Sequence, residues 1–160
     1  ALIMTASEEV ESLAYLVESL PGVDFHVAAL TNMGPKLTNL SSIPNLHLHP
    51  NCSEESFQEL LASCSLYLDV NYGREVSEAS MRAIESGQLI LGLNTTVHYE
   101  AYKKLPTVLA SSDLLLEKIK DVLQSPEEFT SRIEEQRVVL QLAKKEDLLA
   151  FFNCRGEEAK

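Results

Sequence analysis

The chain has 160 residues, of which 45% are hydrophobic and 23% are charged, and its formal net charge at pH 7 is −11. This length predicts one domain with a buried core, and the ordinary composition excludes a disordered or collagen-like chain. The acidic balance argues against binding nucleic acid or anionic lipid through a basic face, and no apolar run reaches the length of a membrane span.

In the first third of the chain, apolar runs alternate with segments of helical periodicity. The predicted elements are a buried strand at residues 1–5, a helix at 7–20, a strand at 25–30, a short helix at 36–40 and a strand at 46–49. Ser7 is expected to cap the first helix, with Glu8 and Glu9 in its first turn. The apolar run starts at the first residue, so we expect a piece of a longer chain.

The alternation continues to the end of the sequence. The predicted elements are a helix after Ser53, a strand at 66–70, a helix at 75–86, strands at 89–93 and 108–110, a helix from Ser112 or Asp113, and a last helix to about residue 152. Ser125 to Glu128 has the pattern of a capping box with proline at the first helical position. We expect one domain at residues 1–154 and a flexible tail at 155–160.

Strands that alternate with helices at this spacing imply right-handed crossovers. We therefore predict an α/β fold with a Rossmann-like, doubly wound, mainly parallel sheet of six strands. A ligand crevice in such a sheet lies at the carboxyl ends of the strands, where the loops at residues 5–8, 71–75 and 94–99 belong. The absence of G-x-G-x-x-G, P-loop and G-x-S-x-G motifs argues against the dinucleotide-binding, P-loop and hydrolase versions of this fold.

The cysteines and histidines predict neither a disulfide framework nor a metal centre. The three cysteines are odd in number and lack zinc-cluster spacing, which is typical of reduced thiols in the cytoplasm: Cys52, Cys64 and Cys154. His47 and His49 lie on one face of a predicted strand, but without a further ligand they are interpreted as a solvated face. His26 is predicted to lie within a strand and is given no role.

Residues 53–93 resemble the signature region of retaining GT-B glycosyltransferases. Residues 59–70 are similar to the helix and strand that lead into the signature, and residues 71–90, NYGREVSEASMRAIESGQLI, look like the signature itself. In that family a glycine-rich turn opens a helix, two glutamates lie eight positions apart, and an alanine-x-x-x-glycine run leads into the next strand. The resemblance implies the C-terminal half of a two-domain GT-B fold.

A narrower resemblance is carried by residues 2–5, 25–31, 67–75 and 91–98. These segments are similar to the stabilising subunit of the two-component O-GlcNAc transferase of the bacterial accessory Sec pathway, which modifies serine-rich adhesins. In that family one subunit transfers the sugar from UDP-GlcNAc. Its partner shares the fold, stabilises the catalytic subunit and helps hold the acceptor polypeptide.

Two departures from the catalytic pattern favour the stabilising subunit. Active members hold the donor diphosphate with an arginine and a lysine just after the first strand of this domain, whereas residues 5–9 here read Thr-Ala-Ser-Glu-Glu. Two carboxylates there would repel a diphosphate. Alignment on Ala83 and Gly87 puts Arg74 and Arg82 at the positions of the two glutamates, and arginine cannot accept a hydrogen bond from a ribose hydroxyl.

The candidates for binding the donor or the acceptor are Asn71, Gly73, Arg74, Glu75, Glu78, Asn94, Thr95 and His98. The turn at residues 71–74 either presents N–H groups and the Arg74 guanidinium to a ligand or is a plain strand-to-helix loop. Glu75 and Glu78, one helical turn apart, are either a shifted ribose site or a solvated helix start. His98 either contacts the cleft between domains or is an ordinary loop histidine.

These features predict a glycosyltransferase-like subunit that stabilises a catalytic O-GlcNAc transferase and helps bind the serine-rich acceptor. The implied partners are that catalytic subunit and the acceptor polypeptide, without nucleic acid, metal or cofactor, and the departures argue against binding of a UDP-sugar. One alternative is an active retaining UDP-sugar-dependent glycosyltransferase of which this chain is the donor-side domain. Another is a nucleotide-independent scaffold. Apolar residues on the last helix predict docking to a further domain or self-association.

Overall fold

A computed structural model of the chain describes the backbone of residues 1–157 and the side chains of residues 1–141. The strands are β1 (Leu2–Thr5), β2 (Phe25–Ala29), β3 (Leu46–His49), β4 (Leu66–Asp69), β5 (Leu89–Leu93) and β6 (Val108–Leu109). The helices are α1 (Leu13–Ser19), α2 (Pro35–Thr38), α3 (Glu54–Ser63), α4 (Ala79–Glu85), α5 (Ser112–Gln124) and α6 (Pro126–Glu157), with a 3₁₀ helix at Glu100–Lys104. The predicted tail falls beyond the described side chains, and residues 158–160 lie outside the described residues altogether.

The six strands form one parallel sheet in the order β3-β2-β1-β4-β5-β6. This is the predicted doubly wound Rossmann-like sheet, and the predicted fold class is confirmed. The chain leaves β1 toward one edge of the sheet and returns to pair β4 on the other side of β1. The topological switch point therefore lies between the carboxyl ends of β1 and β4, where doubly wound folds bind their ligands.

Both faces of the sheet are covered, so alternate residues of each strand enter two separate apolar layers. In one layer Ile3 packs with Leu16 of α1 and Ile119 of α5. In the other layer Met4 packs with Leu61 of α3 and with residues of α4 and the 3₁₀ helix. All five of these side chains are almost fully buried. The sheet is therefore a rigid support for the loops at its carboxyl edge.

Helix α6 passes from one layer to the other. Phe129 packs against the first layer and Leu140 against the second. Between them the buried side chain of Gln136 accepts from the N–H of Ile90 (2.8 Å) and donates to the carbonyl of Gln88 (3.0 Å). Strand β6 pairs only with the last two residues of β5. Gln136 therefore forms the hydrogen bonds to backbone groups that β6 leaves unpaired at this edge. None of the described helices is long and apolar enough to cross a membrane.

Two helices begin later than the sequence predicts. Helix α1 begins at Leu13 and not after Ser7, and helix α4 begins at Ala79 and not at Glu75. The residues before each helix adopt left-handed backbone conformations, with φ of 55° at Ser12 and 54° and 52° at residues 77 and 78. Both predicted starts were wrong because the glutamates there bond to N–H groups and hydroxyls of their own loops or of adjacent helices, which competes with helix formation.

Helices α3, α5 and α6 begin close to the predicted residues. Ser53 caps α3 by accepting from the N–H three residues on (3.1 Å). Ser111 caps α5 in the same way, and α5 begins at Ser112, one of the two predicted starts. Ser125 accepts from the N–H of Glu128 (3.1 Å), but the Glu128 carboxylate binds Arg132. Only half of the predicted capping box is therefore formed.

Candidate functional site

The loops that follow β1, β4 and β5 meet at the carboxyl edge of the sheet. The loop after β1 runs antiparallel to the start of the loop after β4: the N–H of Tyr72 bonds to the carbonyl of Glu9 (3.0 Å), and the N–H of Glu11 to the carbonyl of Val70 (2.8 Å). The crevice predicted from the order of the elements is thus closed on one side by paired backbone. Side chains at the end of β4 and in the loops after β4 and β5 form the rest of the crevice.

The side-chain amide of Asn71 holds the turn after β4. Its Oδ1 accepts from the N–H of Gly73 (3.0 Å), and its Nδ2 donates to the carbonyl of Arg74 (2.8 Å). A Cβ at Gly73 would lie 3.1 Å from Asn71 Oδ1 and 3.2 Å from Glu9 Cβ, so a glycine lets the two loops approach closely. Arg74 is exposed, and its guanidinium has no hydrogen-bond or ion-pair partner among the described residues, so it remains available to a ligand.

The central contact of the site joins His98 to two carboxylates. His98 Nδ1 lies 3.0 Å from Asp69 Oδ1 and 3.0 Å from Glu75 Oε2, and Nε2 lies 2.9 Å from the carbonyl oxygen of Gly73. Asp69 is 1% exposed, and its second oxygen accepts from the backbone N–H of His98 (3.3 Å). Glu75 also accepts from the N–H (3.3 Å) and the hydroxyl (3.1 Å) of Ser80. We call Asp69, Glu75 and His98 the acid–histidine cluster.

The geometry of the acid–histidine cluster favours an imidazolium. Nε2 of His98 faces a carbonyl oxygen and Nδ1 faces two carboxylates, so both ring nitrogens donate when the carboxylates are ionised. The hydrogen bond to Asp69, together with the Gly73 carbonyl and the charge of Glu75, raises the pKa of His98 to about 9. Burial raises the pKa of Glu75 even though the imidazolium opposes it. One positive charge therefore compensates two carboxylates and ties the ends of β4 and β5 to the Asn71 turn.

The acid–histidine cluster is also where a metal ion could bind. Among the described residues, only these three bring three ligand atoms within 4.8 Å of one another. A divalent cation there would have to displace the proton on His98 Nδ1, because that nitrogen lies between the two carboxylates. Each ligand atom already has a hydrogen-bonding or ionic partner, because the proton on His98 Nδ1 holds the two carboxylates together.

The carboxylates predicted to repel a diphosphate are both engaged in hydrogen bonds. Glu9 Oε2 accepts from the N–H groups of Ser7 (3.3 Å) and Glu8 (3.1 Å) and from the hydroxyl of Thr5 (3.2 Å), and these bonds lower the pKa of Glu9. Glu8 Oε2 accepts from the N–H of Lys36 at the start of α2 (3.0 Å). The loop after β1 is therefore stabilised by its own anions.

Three predicted site residues belong to the loops at the carboxyl edge, and their side chains form no hydrogen bond or ion pair with the other described residues: Glu78, Asn94 and Thr95. Glu78 is exposed in the left-handed turn before α4, so it does not share a helix face with Glu75, contrary to the prediction. Arg82 lies away from the crevice, where it pairs with Glu54 of α3 and stacks 4.6 Å over the ring of Phe57.

The histidines of β2 and β3 form a separate cluster at the sheet edge. His26 pairs in register with His47, and its ring stacks on both His47 (4.8 Å between centroids) and His49 (5.3 Å). His26 Nδ1 and His49 Nε2 lie 3.1 Å apart, and burial lowers the pKa of both rings. His26 therefore has contacts that the sequence did not predict.

Sequence reasoning missed Asp69 and Ser80 as members of the site. Asp69 was included in an apolar strand, although a carboxylate at the last position of a buried parallel strand is unusual and needs a partner. That position is a signal for a site at the carboxyl edge. Ser80 carried no comparable signal, because it binds Glu75 only through the unpredicted turn before α4.

Comparison with known proteins identifies similar sequences and structures. Residues 1–136 match the model of the GftB/GlyA-F C-terminal domain family. The chain is 36% identical over 138 residues to the UDP-N-acetylglucosamine–peptide N-acetylglucosaminyltransferase stabilizing protein GtfB of Streptococcus pneumoniae. The aligned residues cover 85% of this chain and 31% of that protein.

Two solved structures share the architecture. A chain in the crystal structure of the GtfA/B complex bound to UDP and GlcNAc superposes with a TM-score of 0.79 at 34% identity, covering 87% of this chain and 32% of that one. The glycosyltransferase GlyE of S. pneumoniae superposes with a TM-score of 0.65 at 26% identity, covering 77% of this chain and 31% of that one. The resemblance to GT-B glycosyltransferases stated from the sequence is thus confirmed.

Proposed function

Because the chain belongs to the GftB/GlyA-F C-terminal domain family, we propose that it acts within a non-catalytic subunit that stabilises an O-GlcNAc transferase and helps bind its serine-rich acceptor protein. The observation that carries this proposal is the 36% identity, over 85% of the chain, with a protein that stabilises such a transferase. The chain spans about a third (31%) of the length of the curated relatives to which it aligns over 138 residues. The proposal includes a cytoplasmic location, which the free thiols of Cys52 and Cys64 support.

The side chains of the signature region favour a binding role for this chain over a role in sugar transfer. Arg82, at the position of one family glutamate, is held by Glu54 on the outside of the domain. Glu75, the nearest carboxylate, is bound by His98 and Ser80. A ribose hydroxyl would have to compete with His98 and Ser80 for the carboxylate oxygens of Glu75.

An active glycosyltransferase with a shifted site is not favoured. That alternative requires Glu75 and Glu78 to act together from one helix face beside Arg74. Glu75 is drawn into the acid–histidine cluster, whereas Glu78 is exposed in a left-handed turn. The two carboxylates are therefore not presented to one ligand.

The crevice mouth has groups that suit an acceptor polypeptide. Tyr72 is 46% exposed, and its hydroxyl accepts from the ammonium of Lys36 (3.0 Å). Arg74, Asn94 and Thr95 are also exposed, in the loops that follow β4 and β5 at the same edge of the sheet. An aromatic ring, a guanidinium, an amide and a hydroxyl together bind peptide carbonyls and serine hydroxyls, which need both donors and acceptors. We therefore retain Arg74, Asn94 and Thr95 as acceptor-binding candidates and add Tyr72 to them.

The stabilising role is tested by mixing the chain with the catalytic transferase from the same organism. We expect the two proteins to co-elute and the transferase to unfold at a higher temperature, since a partner that binds only the folded state stabilises it. The absence of both effects, together with micromolar binding of UDP-GlcNAc by this chain that Glu78→Ala abolishes, would overturn the proposal.

The acceptor role is tested separately with a serine-rich acceptor fragment. Tyr72→Ala should weaken binding of the fragment to the complex by about tenfold, as for an aromatic residue at the centre of an interface. Tyr15→Ala is the matched control, because Tyr15 is also exposed (40%) but lies on α1, where it bonds to Asp113. Equal effects of the two substitutions would contradict a specific role for the crevice.

A further inference from the structure

The loop after β1 has the hydrogen-bonding geometry of an anion site. The N–H groups of Ser7 and Glu8 and the hydroxyl of Thr5 converge on one oxygen atom at distances of 3.1 to 3.3 Å. Successive backbone N–H groups that point into one concavity are a common way to bind an anion in proteins. Here the anion is the carboxylate of Glu9, which belongs to the same loop.

This position coincides with the switch point of the sheet. Thr5 is the last residue of β1, and its hydroxyl also lies 3.5 Å from the side chain of Asn71, which follows β4. Doubly wound folds that bind nucleotides place a phosphate at the first strand-to-helix turn of this crevice. The Glu9 carboxylate therefore occupies the place that a ligand phosphate takes in such a fold.

The neighbouring residues keep Glu9 in place. Its backbone N–H bonds to the Thr5 hydroxyl (3.2 Å), and its carbonyl accepts from the N–H of Tyr72 across the crevice. Gly73 packs against the Glu9 side chain, where a Cβ would lie 3.2 Å from Glu9 Cβ. The carboxylate is thus tethered next to its donors, and a free anion would have to displace a group present at high effective concentration.

We propose that Glu9 is a specificity-determining residue whose carboxylate fills the phosphate position of the crevice from within. The crevice then excludes nucleoside diphosphates and takes an uncharged, hydroxyl-bearing polypeptide segment. This inference rests on the proposed function and names the substrate class of its crevice. It also explains how the domain retains a nucleotide-binding architecture while Glu8, Glu9 and Glu75 supply negative charge around the switch point.

The inference is tested by calorimetric titration of the protein with pyrophosphate and with UDP. Glu9→Ala empties the N–H site, and Glu9→Gln keeps an acceptor oxygen there without its charge. Glu11→Ala is the matched control, because it removes the same charge from the same loop, and within residues 1–141 the Glu11 carboxylate accepts a hydrogen bond from the Ser12 hydroxyl alone (3.3 Å). Thermal unfolding of each variant establishes that it is folded.

We expect Glu9→Ala to bind pyrophosphate at least about tenfold more tightly than the unsubstituted protein and Glu11→Ala, with Glu9→Gln between them. If Glu9→Ala does not fold, an affinity for pyrophosphate about threefold higher in Glu9→Gln than in Glu11→Ala supports the same conclusion. The inference is overturned if neither Glu9 variant binds more tightly than Glu11→Ala, or if the unsubstituted protein binds as tightly as they do. Association with the catalytic transferase is measured on the same variants and should be unchanged, so failure here is distinct from failure of the proposed function.

Discussion

Deprotonation of His98 at alkaline pH should destabilise the fold by an amount that can be derived from its contacts. The pKa of His98 is raised from the ordinary 6.5 to about 9, chiefly by its hydrogen bond to Asp69. A pKa that is higher in the folded than in the unfolded state stabilises the fold fully below the unfolded value of 6.5. That stabilisation is lost as the pH rises through about 9.

The magnitude follows from the size of the pKa difference. A rise from 6.5 to about 9 corresponds to about 3 kcal/mol of unfolding free energy, at about 1.4 kcal/mol for each pH unit. The side chain of His98 is 13% exposed and that of Glu75 is 21% exposed, so solvent screens part of this interaction. We therefore expect a loss of about 2 kcal/mol between pH 7 and pH 10.

The assay is urea unfolding of the protein and of His98→Gln at pH 6, 7, 8, 9 and 10. Glutamine cannot carry the charge, so the stability difference between the two proteins should be largest at pH 6 and shrink by about 2 kcal/mol toward pH 10. His47→Gln is the control, because His47 pairs with Asp24 at an exposed strand edge, away from the acid–histidine cluster. A stability difference for His98→Gln that stays constant from pH 7 to pH 10, or a pKa below 7 for His98 by NMR titration, would refute the reasoning.

Two further predictions concern the sheet. Gln136→Ala should destabilise the protein by about 2 kcal/mol in urea unfolding, because it leaves the buried N–H of Ile90 in β5 and the carbonyl of Gln88 just before β5 unpaired. Gln124→Ala, at an exposed position, should change the stability little, and equal effects would contradict the role of Gln136. Gly92→Ala should destabilise by about 1–3 kcal/mol in thermal or urea unfolding, because its Cβ would lie 2.8 Å from the carbonyl oxygen of Asp69. Gly22→Ala, whose Cβ would meet nothing within 4 Å, is the control, and a fully stable Gly92→Ala would show that the sheet relaxes there.

The sequence predicted the strands well because their signal is local. Each strand is a short apolar run that ends in polar or turn-forming residues, and burial on both faces of a parallel sheet requires such a run. The doubly wound, parallel arrangement was predicted from the alternation of strands with helices and the handedness of crossovers. For this reason the predicted bounds of β1 to β6 differ from the observed ones by at most one residue at either end.

The helix starts before α1 and α4 were predicted less well because local preference misled there. Glu8, Glu9 and Glu75 have the composition of a helical first turn, which favours acidic residues. In the structure these carboxylates bond to N–H groups or side chains of the same loops or of adjacent elements. Such bonds depend on where the neighbouring loops lie, and a pattern along one segment does not contain that information.

The sequence by itself determined the α/β architecture, the family resemblance and the place of the crevice at the carboxyl edge of the sheet. Only the tertiary structure decided how charges are paired there. It brought His98 between Asp69 and Glu75, and it turned Glu9 onto the N–H groups of its own loop. The physical reason is that strand and helix formation depends on neighbours a few positions apart, whereas these contacts join the ends of strands that are far apart in the chain and adjacent only in the folded sheet.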